Sequence, residues 1–324
     1  MAAQDSDCDQ HPSDMSFDRQ QLQTFSVVVE TRHFGRAADA LNVTRGAVSQ
    51  RIIALEGALG TPLLVRDGMT PTPAGETLLR HIQALKLLEA DTLQRIKPDE
   101  KERAKIAIAV NADSLATWFE PVACAIAKQD FALELIVDDQ DYTLSALTRG
   151  EAMGCVSTAD AAPIGFVAEF IGAMDYECVA TPEFAGERLP KGLTLRDILA
   201  VPAVLFNRKD GLHELFLERL LGFPVNGYPT HFFPSSVALL AAVLAGVGYG
   251  LVPSMQVGAL IDAGWLISLA PHHKVSVNLY WHHWKAAPPN AQAVSALIMR
   301  RAREALTQFP PPLRGKLDLG PSGD

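Results

Sequence analysis

Two hydrophobic periodicities divide this chain into an N-terminal and a C-terminal part. Within residues 17–73, apolar positions such as Leu22 and Phe25 recur at steps of three and four, the spacing of amphipathic helices. Farther along, positions such as Ile106 and Ile108 alternate with others, and helical stripes separate these short runs. Strands that alternate with helices indicate open, mostly parallel sheets. We therefore expect an α/β multidomain protein whose first domain is all-α.

The N-terminal part predicts three short helices. The segment His33-Phe34-Gly35 interrupts the first helix, and a second helix follows at 36–41. Asn42-Val43 then makes a tight turn. Thr44 has the side chain of an N-cap, so a third helix is expected to start there and to run to about Leu59.

A hairpin and a long helix are predicted next. Residues 63–66 and 69–70 read as two strands around a two-residue Asp67-Gly68 turn. Thr72 and Pro73 then suit the N-cap and the first position of a helix. Its apolar stripe packs either on its own domain or between two subunits, and consists of Leu78, Ile82, Leu85 and Leu88.

The C-terminal part and the domain limits follow from the same patterns. Strands are predicted at 106–110, 133–137, 153–156, 203–205, 230–232, 249–252, 265–269 and 275–284, and helices at 115–126, 142–149, 237–245 and 291–309. A charged segment with a proline forms a hinge at 97–101. The expected domains are a disordered tail (1–16), a winged helix-turn-helix (17–73), a linker helix (74–97), a C-terminal domain (104–309) with subdomains 104–162 plus 268–309 and 163–267, and a tail (310–324).

Composition and simple sequence features indicate where the protein resides, but they say little about what it does. The 37 acidic and 28 basic residues give a formal charge of −9, so any basic surface for nucleic acid must be local. The first 14 residues lack the features of a signal peptide, and no apolar run reaches membrane-spanning length. The four cysteines lie far apart without a CxxC pair, which argues against a zinc ribbon or a disulfide framework. We expect a cytoplasmic protein with no membrane, metal or cofactor.

The third predicted helix has the residue types of a DNA reader. Such a helix presents short polar and basic groups to the major groove and apolar groups, here Val48, Ile52 and Leu55, to its own domain. The predicted contacts to double-stranded DNA are Arg36, Thr44, Arg45, Gly46, Ser49, Gln50, Arg51 and Arg66. A solvated helical bundle with scattered arginines is the alternative that this spacing leaves open.

Five N-terminal motifs resemble the signature of LysR-type transcription regulators: FGRAADALNVTRGAVSQRI at 34–52, LE at 55–56, LG at 59–60, PLLVR at 62–66 and TPAG at 72–75. The resemblance implies a winged helix-turn-helix, a dimerising linker helix and an effector domain like periplasmic binding proteins. It also implies a homodimer or homotetramer on DNA, with RNA polymerase as a further candidate partner. The chain has Arg45-Gly46 where the family commonly has Gln followed by Pro or Ser, so no operator sequence is implied.

Three C-terminal motifs resemble the ArgP/LysG branch of that family: AVNADSLATW at 109–118, GAMDY at 172–176 and LYWH at 279–282. This resemblance implies a regulator that responds to L-lysine or L-arginine as its small-molecule effector and controls an amino-acid exporter gene.

The residues themselves also suggest an amino-acid site. Residues 111–114 end a strand and open a helix, and Ser235-Ser236 open another, so two helix N-termini can face one cleft and hold a carboxylate. Acidic side chains would hold the cationic end. The candidates are Asn111, Asp113, Ser114, Asp138, Asp139, Asp210, Ser235 and Ser236. For each of them, helix capping or a surface position is the alternative.

Three other functional classes compete with a regulator. A small-molecule-binding protein of a transport system would carry an export signal and would lack the N-terminal module. An architectural DNA-binding protein, such as an inhibitor of replication initiation, would bind random and specific DNA alike. An enzyme would need a nucleophile–base pair, a GxSxG motif or a P-loop, and none is present in the sequence.

Two further patterns have structural explanations. Adjacent residues on a strand point to opposite faces, so each of His272-His273 and His282-His283 offers one ligand at most to a metal site. The glycines at 246–250 follow a helix and precede a strand, the reverse of the order that binds a dinucleotide.

Overall fold

A computed structural model describes residues 17–96, 104–129, 131–137, 140–285 and 287–308. The chain divides into two compact units. The main division falls within one long helix, after Lys86, and residues 148–150 also group with the first unit. The predicted tails, the predicted hinge, Asp138 and Asp139 lie outside the described residues.

The first unit consists of helices and a short hairpin. Its elements are α1 (Arg19–Thr31), α2 (Phe34–Leu41), α3 (Arg45–Leu59), β1 (Leu64–Val65), β2 (Thr70–Pro71) and the beginning of α4 (Pro73–Ile96). The side chains of Asp18, His33 and Thr44 each accept hydrogen bonds from backbone N–H groups of the helix that follows. Because His33 is a cap, α2 begins two residues before the predicted start.

Helices α2 and α3 form a helix-turn-helix. Asn42 has a left-handed conformation with φ of 53°, which turns the chain between the two helices. Ala37 is fully buried, and its small side chain permits close packing of α2. Val48, Ile52 and Leu55 are buried on the inner face of α3, as their spacing predicts.

The hairpin is linked by a longer turn than the sequence predicts. Val65 pairs with Thr70 in an antiparallel ladder, and residues 66–69 connect the strands. The expected two-residue turn at Asp67-Gly68 is therefore wrong. Gly68 and Met69 both have positive φ, 82° and 51°. The chain therefore reverses its direction over a four-residue turn.

Side chains fix this hairpin to the helices on both sides. Glu56 Oε1 accepts hydrogen bonds from the backbone N–H groups of Leu63 (2.7 Å) and Leu64 (3.3 Å). Thr72 Oγ1 accepts the N–H of Gly75 at 3.1 Å, so α4 begins at its predicted cap.

The apolar stripe of α4 has two environments. Leu78 and Ile82 are buried in the core of the first unit. Leu88 and Ile96, farther along the helix, are exposed. The first half of α4 thus packs on its own domain, whereas apolar side chains of the second half are exposed.

The second unit alternates strands and helices. Its strands are β3 (Ala104–Val110), β4 (Phe131–Val137), β5 (Gly154–Ser157), β6 (Phe166–Ala180), β7 (Ala203–Leu205), β8 (Thr230–Phe232), β9 (Tyr249–Pro253), β10 (Ile267–Ser268) and β11 (Val275–Trp284). Its helices are α5 (Ala112–Ser114), a π-helical turn (Leu115–Phe119), α6 (Glu120–Ala127), α7 (Gln140–Thr148), α8 (Pro182–Arg188), α9 (Leu195–Ile198), α10 (Leu212–Leu221), α11 (Ser236–Leu244), α12 (Ser254–Asp262) and α13 (Pro289–Ala305). None of the described helices combines the length and apolarity needed to cross a bilayer.

All strands of the second unit belong to one mixed sheet. Its order is β4-β3-β5-β11-β6-β9-β7-β8, and β10 pairs with β6. The pairs at both ends of this order are parallel, as the alternating pattern predicts. The central pairs are antiparallel, so the expectation of mostly parallel sheets holds only for the two end groups.

The long strand β6 is absent from the sequence-based prediction. It pairs with β11 over most of its length and with β9 near its end, so it joins the two end groups of strands. Gly172 interrupts its pattern with φ of 135°, and a register shift stands opposite at Leu279/Tyr280. A strand that is irregular in its middle lacks the strict alternation that predicts strands.

Candidate nucleic-acid interface and ligand cleft

The outward face of α3 contains most of the predicted DNA-binding residues. Arg45, Gly46 and Gln50 are exposed, and Ser49 is half-buried. Thr44 is exposed as well, and its Oγ1 accepts the N–H of Ala47 at 3.2 Å as the N-cap. Polar groups therefore face outward in the first turns of α3, while its apolar groups anchor the helix to α1 and α2.

Arg51 lies on a different side of the helix. Its Nη2 donates to Gln20 Oε1 at 2.9 Å, and its Nη1 donates to Thr24 Oγ1 at 3.3 Å. Both partners are on α1, so the guanidinium connects α1 to α3. Its contacts in this structure are those of a side chain that orients the reading helix.

The two remaining predicted contacts flank α3. Arg36 lies on α2 and Arg66 begins the hairpin turn, and both side chains are exposed. With Arg45 they place three exposed guanidinium groups on or beside α3 in a chain whose formal charge is −9. Guanidinium groups suit phosphate and guanine contacts, so these three side chains are compatible with duplex DNA.

The structure adds one residue to this face that the sequence pattern missed. Ile53 is 62% exposed on α3, one helical turn beyond Gln50. Ile53 and the buried Ile52 are neighbours in sequence and have the same side chain. They differ in the direction in which the side chain leaves the packed helix.

The second unit contains a cleft of about 350 Å³. Strand β9 and segments next to both end groups of the sheet surround it, together with the central strands β6 and β11. These segments are the start of α5, the start of α10 with the residues before it, and the start of α11. Its lining consists of Asn111, Ala112, Asp113, Tyr176, Phe206, Lys209, Asp210, Gly211, Leu212, Leu215, Ser236, Leu239, Leu251, Val252, Pro253 and Val277.

Two carboxyl groups give the cleft an acidic side. Asp113 Oδ2 accepts a 2.7 Å hydrogen bond from the hydroxyl of Tyr176. Burial raises the pKa of Tyr176 well above its ordinary value, and the charges of Asp113 and Asp210 raise it further. Burial also raises the pKa of Asp210, with a further contribution from the charge of Asp113, while the N–H of Leu212 opposes the shift. A cation between these carboxyl groups would relieve their repulsion.

The other polar groups of the cleft are held by helix starts. Asn111 Oδ1 accepts the N–H of Ser114 at 3.0 Å, so Asn111 caps α5. Ser236, at the start of α11, donates from Oγ to Gln256 Oε1 at 3.3 Å. Lys209 also lines the cleft.

The cleft brings together four of the eight predicted effector residues: Asn111, Asp113, Asp210 and Ser236. Ser114 is buried and Ser235 is exposed as the N-cap of α11, and neither belongs to the lining. Tyr176 and Lys209 belong to it without having been predicted, because their positions depend on the tertiary arrangement. In the part of the chain that the structure describes, no group of three or more His, Cys, Asp or Glu is placed to hold a metal ion.

Comparisons with known proteins identify both units. Residues 19–76 match the bacterial regulatory helix-turn-helix protein family of lysR type, and residues 100–303 match the LysR substrate binding domain. An HTH-type transcriptional regulator ArgP from Photobacterium profundum is 37% identical over 284 residues, which are 87% of this chain and 95% of that protein.

Two solved structures are similar over nearly the whole chain. ArgP from Mycobacterium tuberculosis has a TM-score of 0.82 and 33% identity, with 91% of this chain and 100% of that chain covered. Full-length LysG from Corynebacterium glutamicum with bound effector Arg has a TM-score of 0.75 and 28% identity, with 90% and 100% covered.

Proposed function

The chain belongs to the LysR family of helix-turn-helix transcription regulators, which are not enzymes, and we propose that it changes its action on DNA when a basic amino acid occupies the cleft of the second unit. The ligand class is L-arginine or L-lysine. The reading surface is the outward face of α3.

The acidic side of the cleft is the observation that carries this proposal. A free basic amino acid has a cationic side chain, a carboxylate and an ammonium group. Asp113 and Asp210 suit the cationic side chain, because charge-assisted hydrogen bonds to carboxylates are strong. Lys209 and the N-terminus of α11 at Ser236 suit the carboxylate. The names ArgP and LysG, and the arginine bound to the latter, support the same ligand class.

The location of Asp113 and Asp210 suggests how a ligand affects the rest of the chain. Asp113 follows β3 in one end group of the sheet, and Asp210 follows β7 in the other. We infer that a ligand held by both stabilises the arrangement in which the two predicted subdomains are closed. The fraction of closed molecules then increases with the ratio of the ligand's affinities for the closed and the open state.

We propose that the DNA contacts are made by Arg36, Thr44, Arg45, Gly46, Ser49, Gln50 and Arg66, with Arg51 as a positioning residue. A homodimer or homotetramer is the expected form, and the exposed Leu88, Leu93 and Ile96 of α4 support a subunit contact there. We place the protein in the cytoplasm, where a bacterial chromosome is accessible.

Isothermal titration calorimetry of the full chain tests the ligand. L-arginine and L-lysine are titrated into the wild type and into Asp113→Ala, with Glu120→Ala as the control, because Glu120 is an exposed acid on α6 outside the cleft. We expect at least one of the two amino acids to bind the wild type and the control and to bind Asp113→Ala at least about tenfold more weakly. N-ε-acetyl-lysine, which lacks the side-chain charge, should bind more weakly than L-lysine. Absence of heat with both amino acids would overturn the ligand assignment.

A further inference from the structure

An isoleucine stands on the surface of α3 that the proposed function assigns to DNA. Ile53 follows Gly46, Ser49 and Gln50 at distances of seven, four and three residues, so these four side chains share one helical face. The side chain of Ile53 is 62% exposed, whereas the neighbouring Ile52 is 4% exposed. The apolar surface of Ile53 therefore belongs to the outward face and not to the core.

This placement departs from the usual pattern of a surface helix. The outward face of an amphipathic helix normally carries charged or polar residues. A lysine or glutamine at this position would also have a higher helix propensity than a β-branched isoleucine. The inner face of α3 is already filled by Val48, Ile52 and Leu55. Packing within the first unit thus gives no reason for an isoleucine at position 53.

We propose that Ile53 contacts the 5-methyl group of a thymine in the major groove and so determines part of the recognised sequence. This inference rests on the proposed DNA-binding role of α3. The thymine methyl is the apolar group that a base pair presents in the major groove, and apolar side chains read it by contact. Isoleucine has no hydrogen-bonding group in its side chain, so it cannot bind a phosphate or a polar base edge.

The dimensions of the helix allow this contact. A spacing of i, i+3, i+4 and i+7 is the one that homeodomain recognition helices use to reach base edges. At about 1.5 Å per residue, Ile53 lies about 10 Å along the axis from Gly46, which is roughly three base-pair steps. Gly46 has open space around its missing Cβ, with Thr44 Oγ1 at 3.9 Å as the nearest atom. The first turn of α3 can therefore come close to the floor of the groove.

The arginines on α3 and on the elements beside it favour DNA over a protein as the partner of Ile53. Arg45 is exposed at the first position of the same helix, and Arg36 and Arg66 are exposed on the elements beside it, where Asp39 and Asp67 are exposed as well. Exposed guanidinium groups on both neighbouring elements match two phosphate backbones that border a groove. An apolar residue among them would then lie over the bases.

Substitution of uracil for thymine tests the contact one methyl group at a time. The full chain first selects its preferred duplex from a random library. Each thymine of that duplex is then replaced by deoxyuridine, and affinities are measured for the wild type, Ile53→Ala and the control Ile164→Ala, in which an exposed isoleucine of the second unit is truncated. For the wild type and the control, we expect one replacement to weaken binding about fourfold, the ratio that corresponds to burial of one methyl-sized group. Ile53→Ala should bind the unmodified duplex more weakly and lose this sensitivity.

The possible failures are distinguishable. If the wild type selects no sequence, the proposed function itself fails. If it selects a sequence but tolerates every replacement, or if Ile53→Ala retains the wild-type sensitivity, the thymine contact is overturned while the regulator assignment stands. If Ile53→Ala changes the oligomeric state in light scattering and leaves sequence selection intact, the face binds protein and the inference is also overturned.

Discussion

The hydroxyl of Tyr176 donates a 2.7 Å hydrogen bond to Oδ2 of Asp113, which links the long strand β6 to the start of α5 at the ligand cleft. Burial and the neighbouring carboxylates raise the pKa of this phenol, so it keeps its proton at neutral pH and remains a donor. The carboxylate of Asp113 is thus oriented from one side and retains lone pairs for a cationic ligand.

This orientation predicts that removal of the Tyr176 hydroxyl weakens ligand binding. Tyr176→Phe should lower the affinity for L-arginine about two- to tenfold, because the ligand must then order a carboxylate that the hydroxyl no longer holds, at about 0.5–1.5 kcal/mol per immobilised side chain. Tyr280→Phe, on β11 outside the lining, is the matched control. Calorimetry decides the point, and an unchanged affinity of Tyr176→Phe would show that Asp113 needs no such support.

Arg45 and Arg51, six residues apart on α3, should behave differently when truncated. Arg51→Ala loses hydrogen bonds to Gln20 and Thr24, so we expect the free energy of unfolding of the first unit to fall by about 1 kcal/mol. Arg45→Ala removes an exposed side chain, so stability should remain unchanged while affinity for the selected duplex falls about tenfold. Urea titration and fluorescence anisotropy measure the two effects. Equal losses of stability would contradict the assigned roles.

Two glycines predict opposite changes in stability. A Cβ at Gly75 would lie 2.2 Å from the carbonyl oxygen of Leu63, so Gly75→Ala forces α4 away from the hairpin and should cost about 1–3 kcal/mol. A Cβ at Gly57 meets nothing within 4 Å, and Gly57→Ala should stabilise α3 by about 0.5–1 kcal/mol. Circular dichroism during urea titration compares both with the wild type. A Gly75→Ala protein of wild-type stability would mean that the close approach is not required.

A buried histidine predicts acid sensitivity of the second unit. His213 packs against the rings of Tyr228 and Tyr249, each with a centroid distance of 5.4 Å, and burial lowers its pKa from 6.5 to about 4. A lowered pKa means that the unfolded chain binds the proton more readily. The contribution of neutral His213 to the free energy of unfolding is therefore fully present above pH 6.5. It is lost as the pH drops from about 6.5 to 4.

The loss over this interval should be roughly 3 kcal/mol, at about 1.4 kcal/mol per pKa unit. His213→Phe, which keeps an aromatic ring at the site, should lack this part of the pH dependence. His272→Phe, at an exposed position, should retain it. If the pH profiles of unfolding were the same for both variants, His213 would not be the group responsible.

The elements that the sequence predicts well are those with local signals. Thr44 and Thr72 are capping residues whose hydrogen bonds reach only three residues ahead, and α3 and α4 begin where these caps stand. The inward face of α3 is also predictable, because its spacing depends on the helix alone. The longer hairpin turn and the early start of α2 depend on local conformations, at Met69 and His33, that composition does not specify.

The unpredicted features depend on distant contacts. Strand β6 is recognisable through its pairing with β11, about a hundred residues later, and its own pattern is broken at Gly172. Tyr176 joins the cleft only because this strand passes beside Asp113, 63 residues earlier in the chain. Ile53 has the residue type of a core position, and its exposure follows from the direction in which α3 packs.

One comparison tests most directly whether α3 reads a DNA sequence. It measures the affinity of the full chain for its selected duplex and for a shuffled duplex of the same length and composition. Anisotropy titrations between about 50 and 200 mM salt should weaken both complexes, because both release counterions. The selected duplex should keep a preference of roughly 10³-fold or more throughout. Equal affinity for the two duplexes at every salt concentration would contradict sequence-specific regulation by this protein.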